Sequence, residues 1–375
     1  LLKIPGGSPG ADKVLTSDAS GNATWVAAAS LAGRNMVING AMQISQRAVT
    51  AAAVGAGFNT VDHWYTTKAN AGTWTQTQDA AVVGTAGFGY SLKNDCTTAL
   101  VSLAAGDRLM MSYRLEGLNC QSLKKGTVSA ESVTISFWVN ATKTGTYVLE
   151  LYEHNNSRHI ASLYTVSVTN TWEYKTVTFA GDTTGALTND NNKSLELQFY
   201  MAAGSNYQSG TLATTWAAAS NANRAVGQVN AADSSSNNFH LAGVQMEVGI
   251  TATTFEYKTF GQELVDCQRY FEKSYNQGVT LGSNTNVGAY RPRHPTAGTN
   301  GSPISFMTSK RTTPTMTFYS RNTGATGKIT NMSGGASDIT CSTEGYAGEW
   351  NTVANYTATG SETNVEGHWT ADAEL

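Results

Sequence analysis

The chain has 375 residues, enough for one or two sizeable cores and an appendage. Charged residues make up only 14% and the formal net charge is −3, with no run of Lys and Arg, which excludes a phosphate-neutralising nucleic-acid binder. No stretch approaches the ~18 apolar residues of a membrane span, so membrane insertion is not expected.

The 37 glycines, with abundant Thr, Ser, Asn and Ala, suit short strands joined by turns better than helices. The first residue is Leu1, and an upstream portion is expected. The four cysteines, Cys96, Cys120, Cys267 and Cys341, match no metal or disulfide spacing and read as isolated or buried thiols of a protein assembled in a reducing cytoplasm. The prolines fall at Pro5 and Pro9, and then only from Pro292 onward. The long proline-free middle fits a sheet-rich core, and the later cluster suggests a second domain.

Residues 1–33 are expected to form a stem segment. Val14 and Leu15, the Ser20-Gly21-Asn22 turn signal and Trp25 read as strand, turn and strand. So short a unit cannot bury a core alone, so partner chains are expected to cover its apolar anchors.

Residues 34–258 read as a β-sandwich. Val133, Ile135, Phe137 and Val139 alternate with Thr134, Ser136 and Trp138; Tyr147, Leu149 and Leu151 repeat the pattern, as do Leu195, Leu197, Phe199 and Met201. Trp172 to Phe179 is another strand. The closing strand changes phase, from Phe239 and Leu241 to Val244, Met246 and Val248, and this predicts a bulge at Ala242-Gly243. Trp64, Trp74, Trp138 and Trp172 are expected in core or inter-sheet packing, with His63 near the core.

Residues 259–275 contain the predicted linker helix, over 261–273. Its stripe of Leu264, Cys267, Gln268 and Phe271, widened by Val265 and Tyr270, faces either a neighbouring domain or a three-chain axis. Residues 276–375 are expected to form a small β domain. It has strands around Ile304, Met316 to Phe318, Ile329, Ile339 and Val365 to Trp369, a loop at Lys310 to Pro314, and turns at Gly334-Gly335 and Thr359-Gly360-Ser361. The fold class is therefore all-β: stem, jelly-roll sandwich, linker helix and C-terminal tip domain.

Two regions carry a family signature. Asn35 to Gly40 gives N-x-x-I-N-G within Arg34 to Arg47, followed by Asp62-His63-Trp64-Tyr65. Val244-Gln245-Met246-Glu247-Val248-Gly249, Phe255-Glu256-Tyr257 and Cys267-Gln268-Arg269-Tyr270-Phe271 form the second, and the end from His368 to Leu375 adds to it. Together these resemble bacteriophage tail fibres with a carbohydrate-binding-module-like jelly roll. The resemblance implies a homotrimeric virion component. It would bind a host surface polysaccharide or lipopolysaccharide and join an upstream tail or fibre-adaptor protein. A tail-associated glycan depolymerase and a structural spacer are the alternatives. Cellular modules of this fold often hold calcium near the first and last strands. Gly40 to Gln43 and Leu241 to Gly243 offer no carboxylate there, and no metal or cofactor is expected.

Catalytic constellations are weak. Glycan cleavage needs carboxylates about 5 to 9.5 Å apart. Glu150 and Glu153 face opposite sides of a strand, and Glu344 and Glu349 read as solvated loop charges. His154 and His159 read as a surface turn. No nucleophile elbow occurs. The chain is therefore expected not to be an enzyme. Tyr346 and Trp350, in a Gly-rich loop region, are the first candidates for receptor contact. Tyr290 and Arg291, with Arg293 and His294, form the second patch, and Trp369 is expected at a chain interface.

Overall fold

A computed structural model describes residues 13–17, 23–27, 33–80, 84–294, 298–333, 335–343, 347–358 and 363–375. Tyr346, Glu344, the Ser20-Gly21-Asn22 turn, Gly334 and the Thr359-Gly360-Ser361 turn lie outside these residues.

The stem contributes a hairpin of β1 (Lys13–Ser17) and β2 (Ala23–Ala27), in which Leu15 faces Trp25 across the ladder. Leu15 is 41% exposed. Isolated hairpins are marginal in water, so the described segment supplies no core of its own.

The sandwich follows in chain order as β3 (Thr50–Ala51), β4 (Gly57–Phe58), β5 (Trp64–Ala69), β6 (Thr73–Asp79), β7 (Ser91–Thr98), β8 (Arg108–Glu116), β9 (Val133–Ala141), β10 (Gly145–Glu153), β11 (Arg158–Val166), β12 (Glu173–Phe179), β13 (Lys193–Ala203), β14 (Ala217–Ala218) and β15 (Asn238–Val248). These form two antiparallel sheets. Sheet I is seven-stranded, ordered β14-β11-β10-β13-β8-β5-β4; sheet II is six-stranded, ordered β12-β9-β15-β7-β6-β3. Period-two alternation aims Ile135, Phe137 and Val139 of sheet II at Leu149, Leu151, Leu197 and Phe199 of sheet I, and all are buried in one cluster with Trp64 and Trp74. Each such large side chain contributes roughly 1.5–3 kcal/mol on burial. Phe137 and Phe199 meet edge to face, ring centres 5.0 Å apart.

The predicted bulge is present. The β15–β9 register shifts between Ala242 and Gln245, and Gly243 takes φ +57°. The slip lets Leu241 and Val244 both reach the core despite their opposite parity.

Helix α1 runs Phe260–Gln268, shorter than the 261–273 predicted. Thr259 caps it reciprocally with Gln262. It stops because Phe271–Lys273 form β16, which pairs with Thr370–Asp372 near the end of the chain. The three-chain reading of its apolar stripe needs correction. Cys267, Tyr270 and Phe271 are buried within one chain. Tyr270 lies on His63, ring centres 3.9 Å apart, and its hydroxyl donates to Glu116 at 2.5 Å. Only Phe260 and Val265 remain exposed as large apolar residues of the helix.

The last sheet comprises β16, β17 (Arg293–His294), β18 (Gly298–Ser305), β19 (Thr315–Ser320), β20 (Lys328–Asn331), β21 (Ser337–Thr343), β22 (Asn351–Ala358) and β23 (Thr363–Asp372). β23 organises it, pairing with β16, β17, β19 and β20. Its core holds Phe318, Ile329, Tyr356 and Trp369. Trp369 therefore packs inside one chain, against Phe306 at 5.9 Å between rings, not at a chain interface as predicted. The reason is parity: it faces Phe318 across the β19–β23 ladder.

Charged residues seal the sandwich to this sheet. Arg47 lies over the Phe271 ring at 3.7 Å and pairs with Asp372 at 3.1 Å and Glu374 at 3.2 Å. His63 Nδ1 stands 2.8 Å from Glu374. The Lys310 ammonium is fully buried on Glu272 at 2.5 Å and also reaches the Gln268 carbonyl at 2.6 Å. Burial pushes the Asp62 carboxyl up to about 6, with Arg47 opposing. The four cysteines are free and buried.

Candidate functional site

The residues of the opening and closing motifs hold the fold. Asn35 Oδ1 accepts from the backbone N–H of Val37 and of Met246, both at 3.0 Å. Asn39, at φ +56°, braces the 39–44 turn through Ile44 and Asp62. A Cβ on Gly40 would stand 2.1 Å from the Val244 carbonyl oxygen, so only glycine fits. Gln245 Oε1 accepts from the Glu256 N–H at 2.8 Å. Glu256 accepts in turn from the Asn35 N–H at 2.7 Å. Glu247 holds Thr253 through its N–H at 2.8 Å and its hydroxyl at 2.7 Å. These groups staple the segment 253–257 across the outer face of sheet II, beside Gly33 and Asn35.

That staple makes one wall of an aromatic cleft of about 220 Å³. Phe255 and Tyr257 stand on the segment, and Phe88 lies between them and the bulge, 4.9 Å from Phe255 and 5.5 Å from Tyr257 between ring centres. Trp138 of β9 and Tyr174 of β12 form the other wall; they are register partners with rings 5.3 Å apart. Tyr174 is 46% and Tyr257 48% exposed. Ser136, Thr253 and Thr254 add hydroxyls to the lining, and Thr176 and Thr178 continue outward along β12. The cleft thus combines open aromatic faces with hydroxyl groups, which are donors and acceptors at once. Trp172 packs nearby, edge-on to His240 at 5.7 Å. Burial holds the His240 imidazole down at about 4.

Trp138 and Trp172 correct the expectation of core packing. Both are half-buried on the outer face, whereas Trp64 and Trp74 are in the core as predicted. The signal was available for Trp138, since it lies out of phase with Ile135, Phe137 and Val139. Phe88, Tyr174, Phe255 and Tyr257 gave no sequence signal of a site, because they meet only through the fold.

The predicted receptor residues sit elsewhere. Trp350 is 65% exposed. It leads into β22 at the Ser305–Asn351 end of the β18–β22 ladder, where its carbonyl accepts from Phe306 N–H at 3.0 Å. Tyr290 bridges to Gly367, is half-buried, and donates from its hydroxyl to the Pro303 carbonyl at 3.2 Å. Arg291 pairs with Glu366 at 3.3 Å. None of these three lines the aromatic cleft. The expected hairpin turn is present at 154–157 between β10 and β11, and His154 in it reaches Glu196 at 2.8 Å; His159 lies beyond the turn in β11, fully buried on Glu150 at 2.7 Å. Glu150 and Glu153 do face opposite ways, Glu150 toward Arg224 and Glu153 toward Lys125. No group of three or more His, Cys, Asp or Glu side chains suited to a metal occurs among the described residues.

No family model and no curated protein matches the chain. Solved structures of distant similarity include the enzymatically active domain of bacteriophage CBA120 tailspike protein 4, at 11% identity and TM-score 0.30, covering 57% of this chain and 21% of that one. The family 11 carbohydrate-binding module of a Clostridium thermocellum cellulosomal cellulase aligns at 11% identity and TM-score 0.28, covering 54% of this chain and 97% of the module. The CBM22-1 xylan-binding domain from Paenibacillus barcinonensis aligns at 12% identity and TM-score 0.27, covering 56% of this chain and 98% of that domain. The chain therefore spans about a fifth of the tailspike domain's own length.

Proposed function

We propose that this chain is a non-catalytic, homotrimeric bacteriophage tail fibre that attaches the virion to a host surface glycan. The observation that carries the glycan half of this reading is the cleft between Trp138–Tyr174 and Phe255–Tyr257. Its half-exposed rings suit the C–H faces of a sugar, and its rim of Ser and Thr suits sugar hydroxyls. The fibre half is supported by the opening and closing motifs, from Asn35 to Gly40 and from Gln245 to Tyr257. Trimerisation is supported by the stem hairpin, whose Leu15 is 41% exposed among the described residues. Three copies raise a weak single-site affinity by ~10²–10⁴ through effective concentration.

The test is adsorption of the purified protein to host envelope polysaccharide, with an assay for new reducing ends in the same tubes. Adsorption without new ends supports the proposal. New reducing ends would replace it with a depolymerase, and absence of adsorption would leave a structural spacer.

A further inference from the structure

The outer face of sheet I carries a second groove with different chemistry, of about 270 Å³. Strand alternation presents Arg108 and Arg114 from β8, Glu196 and Gln198 from β13, and Tyr152 from β10. Glu196 is buried, and its carboxylate meets the His154 imidazole at 2.8 Å and two cationic side chains, Arg114 at 3.2 Å and Lys193 at 3.4 Å. Burial opposes ionisation of Glu196, yet His154, Lys193 and Arg114 more than offset it and hold the carboxyl well below its usual range. Burial also lowers the Lys193 ammonium; Glu196 opposes this and Arg114 adds to it. Farther along, Arg224 pairs with Glu150 at 2.9 Å and donates to Gln198 at 2.7 Å. Arg108 donates to the Tyr207 hydroxyl and lies over that ring at 5.1 Å, and no ion pair of Arg108 occurs among the described residues. Arg114 also donates to the Leu375 carbonyl and covers the Tyr65 ring at 3.5 Å.

Among the described residues the groove therefore gathers Arg108, Arg114, Lys193 and Arg224 beside Glu196 and Glu150, in a chain whose net charge is −3. Uncompensated positive charge held in a half-buried groove attracts an anion more strongly than the same charge on an open surface. Thr67 and the Gln198 amide offer partners for hydroxyl groups beside that charge. We propose that this groove binds the anionic group of an acidic saccharide, a sugar carboxylate or sugar phosphate. The site is separate from the aromatic cleft, so either can fail without the other.

The experiment is calorimetric titration of the full chain with trigalacturonate, with glucose 6-phosphate and with neutral maltotriose. Wild type binds at least one acidic ligand more tightly than maltotriose, and added salt weakens that preference. Which acidic ligand binds identifies carboxylate or phosphate as the source. Lys193→Gln weakens acidic binding about ten-fold or more, as loss of a charged hydrogen bond implies, while Lys193→Arg retains it. Lys124→Gln, at an exposed lysine outside both grooves, leaves it unchanged. Binding of neither acidic ligand, or equal binding of acidic and neutral ones, overturns the proposal. So does full acidic binding by Lys193→Gln.

Discussion

Gly243→Ala tests the bulge and the cleft together. At φ +57°, an alanine costs roughly 1–2 kcal/mol in backbone strain alone. Its Cβ would also stand 2.2 Å from Cζ and 2.6 Å from Cε2 of Phe88. Displacing a packed ring adds about 1–3 kcal/mol, for a total of roughly 2–5 kcal/mol. A double-mutant cycle with Phe88→Ala separates the two parts, because removing the ring removes the steric part and leaves the strain. Urea unfolding followed by tryptophan fluorescence supplies the four stabilities. The cycle should show a coupling of about 1–3 kcal/mol, with Gly243→Ala milder in the Phe88→Ala background. Additive effects would refute the contact between the bulge and the cleft wall.

Three further outcomes are expected. Glu116→Ala removes the carboxylate that holds Arg269 by two bonds of 2.8 Å and also accepts from Tyr270; a loss of about 3–5 kcal/mol and faster proteolysis near the helix should follow, and unchanged stability would contradict the clasp. Burial opposes ionisation of Asp182, but hydrogen bonds from Arg158 and Lys125 more than offset it and hold the carboxyl at about 2, below its ordinary 3.8. Its contribution of roughly 2 kcal/mol is present above pH 4 and lost as pH falls toward 2, so the stability gap between wild type and Asp182→Asn should be widest at neutral pH and close in acid. Burial pushes the Cys120 and Cys341 thiols up to about 12; an aromatic disulfide reagent should therefore label neither thiol in the native protein at pH 8, and both after denaturation.

The sandwich was legible in the sequence where alternation speaks directly. Ile135, Phe137 and Val139 declared β9, and the parity change after Leu241 declared the bulge. The end of α1 was not legible. Phe271 continues the helical spacing, but its true partner, Asp372, lies at the far end of the chain. Trp369 was misplaced for a related reason: its cover comes from Phe318 of β19 and from Phe306, just past the end of β18. The signature residues could be matched from sequence, yet their work as staples depends on distant pairs such as Asn35 with Met246 and Glu256. The rings of the aromatic cleft come from four separated segments, so sequence offered only the outward parity of Trp138. The junction charges, Arg47, Lys310 and Glu374, gave no signal because nothing local shows that two sheets close over them.

The most direct test of the account is tryptophan fluorescence of the intact protein titrated with host envelope polysaccharide, in wild type and in Tyr174→Ala. Trp138 lies 5.3 Å from Tyr174 between ring centres, so a sugar seated in the cleft must alter its emission. The account predicts a saturable change in wild type and a loss of affinity of about ten-fold or more in Tyr174→Ala, the scale of one aromatic stacking contact. Equal saturation curves for the two proteins would contradict adhesion through the cleft.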